Sequence, residues 1–290
     1  MWQTISQAIA EHSGQPFDPE PPRGLAGGCI SSAFRLSDGS RTWFVKTNTA
    51  AQLDMFEAEA EGLNELASAK AIAVPRALCT GTAGGLAYIV MEHLALGHGG
   101  SAGWAEAGRQ LAELHRHRAE AFGWTRNNTI GATPQHNDWQ SDWAVFWREQ
   151  RLGFQLELAA AQGHGRHLQS LGDQLLDRFP ALIDHAPTPS LLHGDLWGGN
   201  MGFTREGDPV IYDPATYYGD REAELAMTEL FGGFSSDFHA AYREAWPLDA
   251  GYRVRRELYN LYHVLNHLNL FGGGYGSQAQ GMMQRLLSEC

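Results

Sequence analysis

The chain has 290 residues, of which 43% are hydrophobic and 19% charged, so it is long enough to bury a core in one large domain or in two lobes. Its formal net charge is −12 and it has no basic run, which argues against a nucleic-acid partner because nucleic-acid binding depends on phosphate neutralisation by Lys and Arg. No apolar run approaches the ~20 residues of a membrane span, so no membrane partner is expected.

The first residues, MWQTISQAIAEHSG, predict a short amphipathic helix without the charged and apolar regions of a signal peptide. The three cysteines, Cys29, Cys79 and Cys290, are an odd number and form no CxxC motif. They therefore indicate neither a disulfide framework nor a zinc site. A reducing, cytoplasmic location is the simplest prediction.

A turn of small residues, LAGGCISSAF, follows at positions 25–34. Gly27 and Gly28 have no Cβ atom, so their backbone N–H groups can approach a phosphate. Ser31 and Ser32 belong to the same turn and complete this set of candidate nucleotide-binding residues. The turn is not a full GxGxxG motif, and taken alone it is explained better by a plain hairpin.

The next element is an alternating strand, TWFVK, which ends at Lys46. A lysine at a strand end is usually just solvated, but its position after a glycine turn favours a contact with the phosphates of ATP. A helix is predicted over 52–69, with apolar residues on one face. It carries three carboxylates that could pair with the lysine, those of Glu57, Glu59 and Glu61.

Residues 86–91, LAYIVM, predict a buried strand, which Glu92-His93-Leu94 and a glycine-rich stretch follow. A strand that runs into such a connector suits a hinge between two lobes. The exposed backbone of the connector could hydrogen-bond to adenine.

An aromatic stripe follows in the second half of the chain. With Asn137 as the predicted cap, a helix would place Trp139, Trp143, Phe146 and Trp147 on one face, and we interpret this stripe as core packing rather than ligand contact. The same periodicity predicts further helices at 104–117, 168–179, 222–231, 237–245, 253–271 and 278–287.

The most informative stretch is LHGDLWGGNMG at 192–202, with IYDP after it at 211–214. It supplies Asp195, Asn200 and Asp213 in that order. Phosphoryl transfer needs a carboxylate beside the attacking hydroxyl and oxygen ligands that hold Mg²⁺ on the phosphates. The order and spacing therefore favour a kinase site over a surface loop with scattered Asp and Asn.

The thirteen histidines also invite a metal site. His115 and His117 are close in sequence, and His263 and His267 are spaced i,i+4 on a predicted helix. There is no HExxH motif and no obvious third ligand, so we interpret both pairs as core or surface histidines.

Taken together, the motifs identify a resemblance over nearly the whole chain. The sequence resembles the fructosamine kinase family, or ketosamine 3-kinases, in the aminoglycoside-phosphotransferase-like branch of the protein-kinase-like fold. The motifs that carry it are GGCISSAF, FVKTN, MFEAEAEGL, VMEHL, LAELH, FGWTRNNTIGATPQHN, DWAVFWREQRL, HGDLWGGN and YDPATYYGDREAELAM. HGDxxxxN and the following DP occur across small-molecule kinases of this fold. The tryptophan of HGDLWGGN and the NNTIGATPQ-to-EQRL block have a much narrower distribution, and they separate this family from aminoglycoside and choline kinases.

The resemblance implies an α+β, bilobal protein-kinase-like fold. Residues 1–93 would form a small N-terminal lobe with an antiparallel sheet and one main helix, which covers the nucleotide. Residues 94–290 would form a larger, mostly helical lobe for catalysis and substrate binding. Pro214, directly after the Asp213 that the resemblance implies as a metal ligand, stiffens the turn and makes an activation-loop switch unexpected.

The function implied is ATP-dependent phosphorylation of the sugar 3-hydroxyl of ketosamines, which are fructosamine, ribulosamine or erythrulosamine adducts of amines. The phosphorylated adduct decomposes, which frees the amine and amounts to deglycation of a protein or a small molecule. The expected cofactors are ATP and Mg²⁺. Two alternatives remain open: a kinase of the same fold for another hydroxylated amine, similar to aminoglycoside or choline kinases, and a non-catalytic nucleotide-binding member.

The resemblance also assigns roles. Asp195 would accept the proton of the attacking hydroxyl, and Asn200 and Asp213 would hold Mg²⁺. Lys46, oriented by Glu59, would contact the α- and β-phosphates. The backbone of Glu92 and Leu94 would bind adenine. Trp197 would wall the sugar site; a structural plug behind the loop is an equal alternative.

Cys29 lies inside the predicted phosphate-covering turn, where nearby N–H groups favour thiolate. Its oxidation, which would cap the thiol or link two chains, is a hypothesis for redox control, and an inert turn residue is the alternative. The protein is expected to be a monomer or a homodimer and to act on a free or protein-attached ketosamine.

Overall fold

The computed structural model describes residues 1–25 and 30–290. The predicted nucleotide-binding residues Gly27 and Gly28 and the predicted redox residue Cys29 lie outside the described residues.

The N-terminal lobe is built on an antiparallel sheet of five strands in the order β1-β2-β3-β5-β4. Lys46 lies in the central strand, opposite Ala33 on β2 and Ile89 on β5. The strands are β1 (Arg23–Leu25), β2 (Ser32–Ser37), β3 (Thr42–Thr49), β4 (Ala77–Ala83) and β5 (Leu86–Glu92).

Each face of this sheet is covered by a helix. Alternate residues of a strand point to opposite faces. On one face Tyr88 and Val90 pack with Ile5 and Ile9 of helix α1 (Trp2–Ser13). On the other face Ala87, Ile89 and Met91 pack with Phe56 and Leu63 of helix α2 (Leu53–Ser68). The sheet therefore has two apolar faces, which explains why β5 reads as a continuous hydrophobic run.

Eight helices of the described chain follow the sheet and form the larger lobe. Their main core gathers the aromatic side chains of Trp143, Phe146, Trp147, Tyr259 and Tyr262. The helices are α3 (Ser101–Leu114), α4 (Trp143–Trp147), α5 (Phe154–Ala161), α6 (Arg166–Arg178), α7 (Arg221–Leu230), α8 (Ser236–Ala245), α9 (Tyr252–Phe271) and α10 (Tyr275–Ser288). Short 3-10 turns span Ala50–Gln52 and Phe179–Leu182, and a π-helical turn at Arg148–Gly153 joins α4 to α5.

Three short antiparallel ribbons carry the loops of the larger lobe. They pair β6 (Asn128–Ile130) with β7 (Thr133–Gln135), β8 (Ser190–Leu192) with β11 (Tyr217–Gly219), and β9 (Met201–Phe203) with β10 (Pro209–Ile211). Asp195 follows β8, Asn200 directly precedes β9 and Asp213 follows β10. Two of these ribbons, β8–β11 and β9–β10, therefore carry the three predicted residues beside the ends of their strands.

The structure corrects the start of the aromatic helix. Asn137 is not a cap: α4 begins at Trp143, and the Asp142 side chain accepts a hydrogen bond from the N–H of Val145 at 2.9 Å. The run NDWQSD offers several possible caps, and burial of Trp143 decides among them. Trp139 lies before the helix and is 45% exposed, whereas Trp143, Phe146 and Trp147 are buried in the core.

None of the helices in residues 1–25 and 30–290 is long and apolar enough to cross a membrane. The predicted lobe boundary at 93/94 falls in the segment after β5 and stays a prediction.

Candidate active site

The first group of the site joins the two lobes. The Nζ of Lys46 donates to Glu59 Oε1 at 2.8 Å and to Asp213 Oδ1 at 2.6 Å. Glu59 comes from α2 and Asp213 from the loop after β10. Of the three candidate carboxylates of α2, Glu59 is thus the one that contacts the lysine, and Glu61 instead pairs with Arg126 of the larger lobe.

The charge of Lys46 is fixed by these partners. Burial would lower the pKa of Lys46, but the carboxylates of Glu59 and Asp213 outweigh burial and raise it. The ammonium group therefore stays protonated at neutral pH. It is a cation held against two carboxylates at the point where the lobes meet.

The second group lies beside the first. The Nδ2 of Asn200 donates to the backbone oxygen of Asp195 at 2.9 Å and to its Oδ2 at 3.2 Å, and approaches the backbone oxygen of Asp213 at 3.4 Å. Burial and the neighbouring carboxylate of Asp213 raise the pKa of Asp195 to about 8. The structure thus brings Asp195, Asn200, Asp213, Lys46 and Glu59 together.

Asp213 has a backbone φ of 60°, in the left-handed region that residues with a Cβ rarely adopt. Such a conformation costs about 1–3 kcal/mol and persists only where the surrounding structure enforces it. Here it turns the carboxylate toward Lys46.

The turn before Asp195 depends on a glycine. Gly194 has φ 86°, and a Cβ there would lie 2.0 Å from the backbone oxygen of Ala215. The N–H of Ala215 in turn donates to the backbone oxygen of His193 at 2.8 Å. The segments that carry Asp195 and Asp213 are therefore in direct backbone contact.

His193 braces this loop. Its Nε2 lies 2.9 Å from the backbone oxygen of Tyr212, so it carries the proton and donates, while Nδ1 accepts from the N–H of Asp195 at 3.3 Å. Burial lowers the pKa of His193 despite the nearby Glu224, which keeps the ring neutral.

Glu224 of α7 anchors the same loop, and sequence reasoning missed it. Its carboxylate accepts from the N–H groups of His193 at 3.1 Å and Gly194 at 2.7 Å. His115 Nε2 lies 2.9 Å from Glu224 Oε2, and His115 Nδ1 lies 2.7 Å from the hydroxyl of Tyr242. The only hint in the sequence was the DREAEL run after the DP motif, where one of several acids had to be chosen.

The described part of the turn that is predicted to cover the phosphates leads into β2. The Asn48 side chain of β3 donates to the backbone oxygen of Ile30 at 3.0 Å and to Ser31 Oγ at 3.2 Å. Ser32 begins β2 and pairs with Thr47. A Cβ on Gly131, at the tip of the β6–β7 ribbon, would lie 3.2 Å from Ile30 Cδ1, so the turn also touches the larger lobe.

Glu92 and Leu94 lie at the end of β5 and just beyond it. The N–H of Glu92 donates to the backbone oxygen of Arg76 at 2.9 Å, so this N–H is already used within the smaller lobe. Within the described residues, the N–H of Leu94 has no hydrogen-bond partner.

Trp197 stands at the surface of the loop between Asp195 and Asn200. Its indole is 41% exposed, so it is not a plug inside the core. A Cβ on Gly199 would lie 2.3 Å from the indole ring, so the ring packs closely against this glycine.

The histidine pairs do not form metal sites in the described chain. Both ring nitrogens of His115 are hydrogen-bonded, to Glu224 and to Tyr242. His267 Nδ1 donates to the backbone oxygen of His263 at 2.8 Å. The one His/Asp/Glu cluster with metal-like spacing is His185, Asp220 and Glu222. The Asp220 carboxylate already accepts hydrogen bonds from the hydroxyl of Tyr259 and the N–H of Glu222, and the Glu222 carboxylate accepts one from Arg255. The cluster is therefore a buried structural network.

The donor set between Asn200 and Asp213 fits Mg²⁺. Since the Nδ2 of Asn200 points to Asp195, its Oδ1 is left for another partner, and Asp213 uses Oδ1 for Lys46 and keeps Oδ2. Amide and carboxylate oxygens are the hard ligands that Mg²⁺ prefers.

Comparison with known proteins agrees with this geometry. The family model described as fructosamine kinase matches residues 1–289. A relative from Synechocystis sp., assigned as a ketoamine kinase, is 49% identical over 99% of this chain and 97% of its own length. The chloroplastic protein-ribulosamine 3-kinase of Arabidopsis thaliana is 42% identical over 91% of this chain and 81% of its own length.

Solved structures give the same fold. A crystal structure assigned as a fructosamine-3-kinase from Haemophilus somnus superposes with a TM-score of 0.91 at 30% identity, and covers 99% of this chain and 97% of that one. The aminoglycoside phosphotransferase APH(4)-Ia, solved in a ternary complex with AMP-PNP and hygromycin B, gives a TM-score of 0.66 at 16% identity over 99% of this chain and 98% of that one. The second similarity shows the fold alone, and confirms the predicted bilobal protein-kinase-like architecture.

Proposed function

The chain belongs to the fructosamine kinase family and is an ATP-dependent phosphotransferase, and we propose that it phosphorylates the sugar 3-hydroxyl of a ketosamine. The observation that carries the proposal is the convergence of Lys46, Glu59 and Asp213 with the Asp195–Asn200 pair in one site. Relatives that act on ribulosamines and ketoamines support the substrate class.

Asp195 is proposed to accept the proton of the attacking hydroxyl. Its carboxyl group is held by the side-chain amide of Asn200, and a positioned carboxylate can act as a general base toward a hydroxyl. In phosphoryl transfer most of the catalysis comes from positioning and electrostatics, so a fixed carboxylate beside the acceptor is what the reaction requires.

Asn200 and Asp213 would hold Mg²⁺ through the Oδ1 and Oδ2 atoms left free by their other contacts. When bound, this ion would neutralise negative charge on the phosphates. Lys46 would contact the α- and β-phosphates from the opposite side, and Glu59 keeps its ammonium group aimed into the site.

The remaining nucleotide contacts come from the smaller lobe. We expect the turn with Gly27, Gly28, Ser31 and Ser32 to cover the phosphates. The carbonyl oxygen of Glu92 and the N–H of Leu94 would bind adenine.

Trp197 would form a wall of the sugar site. It follows Asp195 by two residues and is 41% exposed, and an indole face packs well on the apolar face of a sugar. A ketosamine 3-phosphate is unstable, so the consequence of the reaction would be release of the amine and deglycation of a free or protein-attached substrate.

The test is Mg-ATP turnover against ribulose-lysine, fructose-lysine and erythrulose-lysine, with choline and an aminoglycoside as other acceptors. We expect phosphorylation of at least one ketosamine, with the phosphate on the 3-hydroxyl. Phosphorylation of choline or the aminoglycoside alone, or ATP binding without turnover of any acceptor, would contradict the proposal.

A further inference from the structure

One arginine of the larger lobe, Arg151, is fully buried and pairs with no carboxylate of the described chain. Arg151 has no ion-pair partner among the described residues, and its guanidinium lies over the rings of Tyr217 and Phe146, 4.3 Å and 4.6 Å from their centroids. Burying a charge is expensive unless it is compensated. Here the compensation comes from rings and amide oxygens: the NH2 group donates to Asn137 Oδ1 at 2.8 Å.

From Arg151 a chain of buried side-chain amides leads to the site. Asn137 Nδ2 donates to Asn128 Oδ1 at 3.0 Å, and Gln135 Nε2 donates to the same oxygen at 2.9 Å. We call Asn137, Asn128 and Gln135 the amide relay. The hydroxyl of Tyr262 donates to Gln135 Oε1 at 2.8 Å, which fixes the orientation of the Gln135 amide.

The relay ends on the backbone just after Asp213 and Pro214. Asn128 Nδ2 donates to the backbone oxygen of Thr216 at 2.8 Å, and Gln135 Nε2 donates to that of Ala215 at 3.0 Å. The same oxygen of Ala215 lies against Gly194, one residue before Asp195. The backbone of Ala215 therefore contacts both the segment that carries Asp213 and the segment that carries Asp195, and a shift of Ala215 would change the distance between them.

A local feature of the backbone supports a special role for this region. Arg151 lies in the π-helical turn Arg148–Gly153 between α4 and α5. Such turns are rare and occur often near functional sites.

We infer that Gln135, supported by the rest of the amide relay, is a positioning residue for phosphoryl transfer. It touches no reacting atom, and it sets where Asp213 and Asp195 stand relative to one another through the backbone of Ala215. The inference rests on the proposed roles of Asp195 and Asp213. A small displacement of such groups costs far more in rate than in stability, because a misplacement of about 1 Å can lower the rate about 100-fold.

The test compares Gln135→Met with Gln155→Met. Methionine keeps the length of glutamine and removes its hydrogen bonds. Gln155 is a matched control because it is equally buried and its amide also bonds inside the larger lobe, to Asn266 and Asn269. Melting temperature, kcat, KM for ATP and the Mg²⁺ concentration at half-maximal rate are measured for both variants, with ribulose-lysine as acceptor.

We expect Gln135→Met to lower kcat by about 10- to 100-fold and to raise the half-saturating Mg²⁺ concentration several-fold, with KM for ATP within about twofold. Gln155→Met should lose a similar amount of thermal stability and keep the wild-type kcat and Mg²⁺ dependence. Equal kinetics for the two variants would overturn the inference.

If Gln135→Met does not fold, Tyr262→Phe removes the single hydroxyl that orients Gln135 and should lower kcat by a smaller factor in the same direction. Wild-type kinetics for Tyr262→Phe would then overturn the inference. The Asp195→Ala variant separates this inference from the proposed function. Full activity of Asp195→Ala would contradict the proposed catalytic roles on which the inference rests. An inactive Asp195→Ala together with a fully active Gln135→Met would contradict only the positioning role of Gln135.

Discussion

The ammonium nitrogen of Lys46 lies 2.6 Å from Oδ1 of Asp213, although the two residues are 167 positions apart in the chain. This contact joins the central strand of the smaller lobe to the loop that carries the proposed metal ligand. Together with Glu59 it defines where the phosphates of ATP are expected to lie, so the two lobes share one site.

Replacing the lysine tests that shared site. In Lys46→Met the carboxylates of Glu59 and Asp213 lose their common cation, and we expect kcat/KM for ATP to fall about 100- to 1,000-fold, the loss typical for one electrostatic group in a site. Lys70, the only other lysine of the chain, is exposed, and Lys70→Met is the control. Activity of Lys46→Met within threefold of the control would speak against the phosphate role.

Trp197 is predicted to act on the acceptor and not on the nucleotide. Trp197→Ala removes an aromatic contact, typically about 0.5–1.5 kcal/mol beyond the area buried, so KM for the ketosamine should rise about 10-fold or more while KM for ATP stays unchanged. Trp139→Ala is the matched control, because that indole is similarly exposed at 45%. Equal effects of both substitutions on acceptor KM would contradict the prediction.

The glycine before Asp195 is predicted to be irreplaceable for a steric reason. Gly194 and Gly14 both have positive φ, at 86° and 71°, but a Cβ on Gly14 has nothing within 4 Å. Gly14→Ala should therefore cost only the backbone strain, about 1–2 kcal/mol. Gly194→Ala should cost more and also lower kcat, because the Cβ pushes Ala215 and Asp195 apart. Denaturation and kcat measured on both variants decide; a stable, fully active Gly194→Ala would refute the geometry.

Glu224 should make stability depend on pH. Burial alone would raise the pKa of Glu224, but the hydrogen bonds that its carboxylate accepts from His115 and Gly194 outweigh burial and lower it below its ordinary value of 4.5. A group with a lowered pKa in the folded state contributes stability above its unfolded pKa and loses it as the pH falls through the folded pKa. The contribution is therefore complete at pH 7 and is lost below pH 4.5.

Glu224→Gln is expected to lower the free energy of unfolding at pH 7 by about 1–3 kcal/mol, because an amide cannot accept all the N–H groups that face the carboxylate. The difference from wild type should shrink as the pH falls well below 4.5. Urea denaturation across this range measures it, with the exposed Glu244→Gln as control. A difference that is constant with pH would contradict the assigned cause.

The sequence predicted much of this arrangement because the decisive residues lie in short local patterns. Lys46 ends an alternating strand, Asn200 follows Asp195 at a fixed spacing, and both could be placed before any contact was known. The choice of Glu59 among three carboxylates of α2 came from resemblance, since helical spacing alone did not decide among them.

The amide relay and Glu224 could not be predicted in the same way. Asn128 and Gln135 bond to backbone oxygens about 80 to 88 positions away, and such bonds leave no periodic pattern in a sequence. For the same reason the sequence predicts Asn137 as a helix cap, a role for which Asn is strongly preferred, and this prediction is wrong. Its real partners are Arg151 and Asn128, which only the folded chain brings near.

The central claim is that Asp195 is the group that accepts the proton of the substrate hydroxyl. The most direct measurement is the single-turnover rate of Asp195→Ala at saturating Mg-ATP and ketosamine, with ATP affinity measured on the same preparation. We predict a rate about 100- to 10,000-fold below wild type with nearly unchanged ATP affinity, the range for loss of one positioned acid–base group. A rate within threefold of wild type would contradict the account.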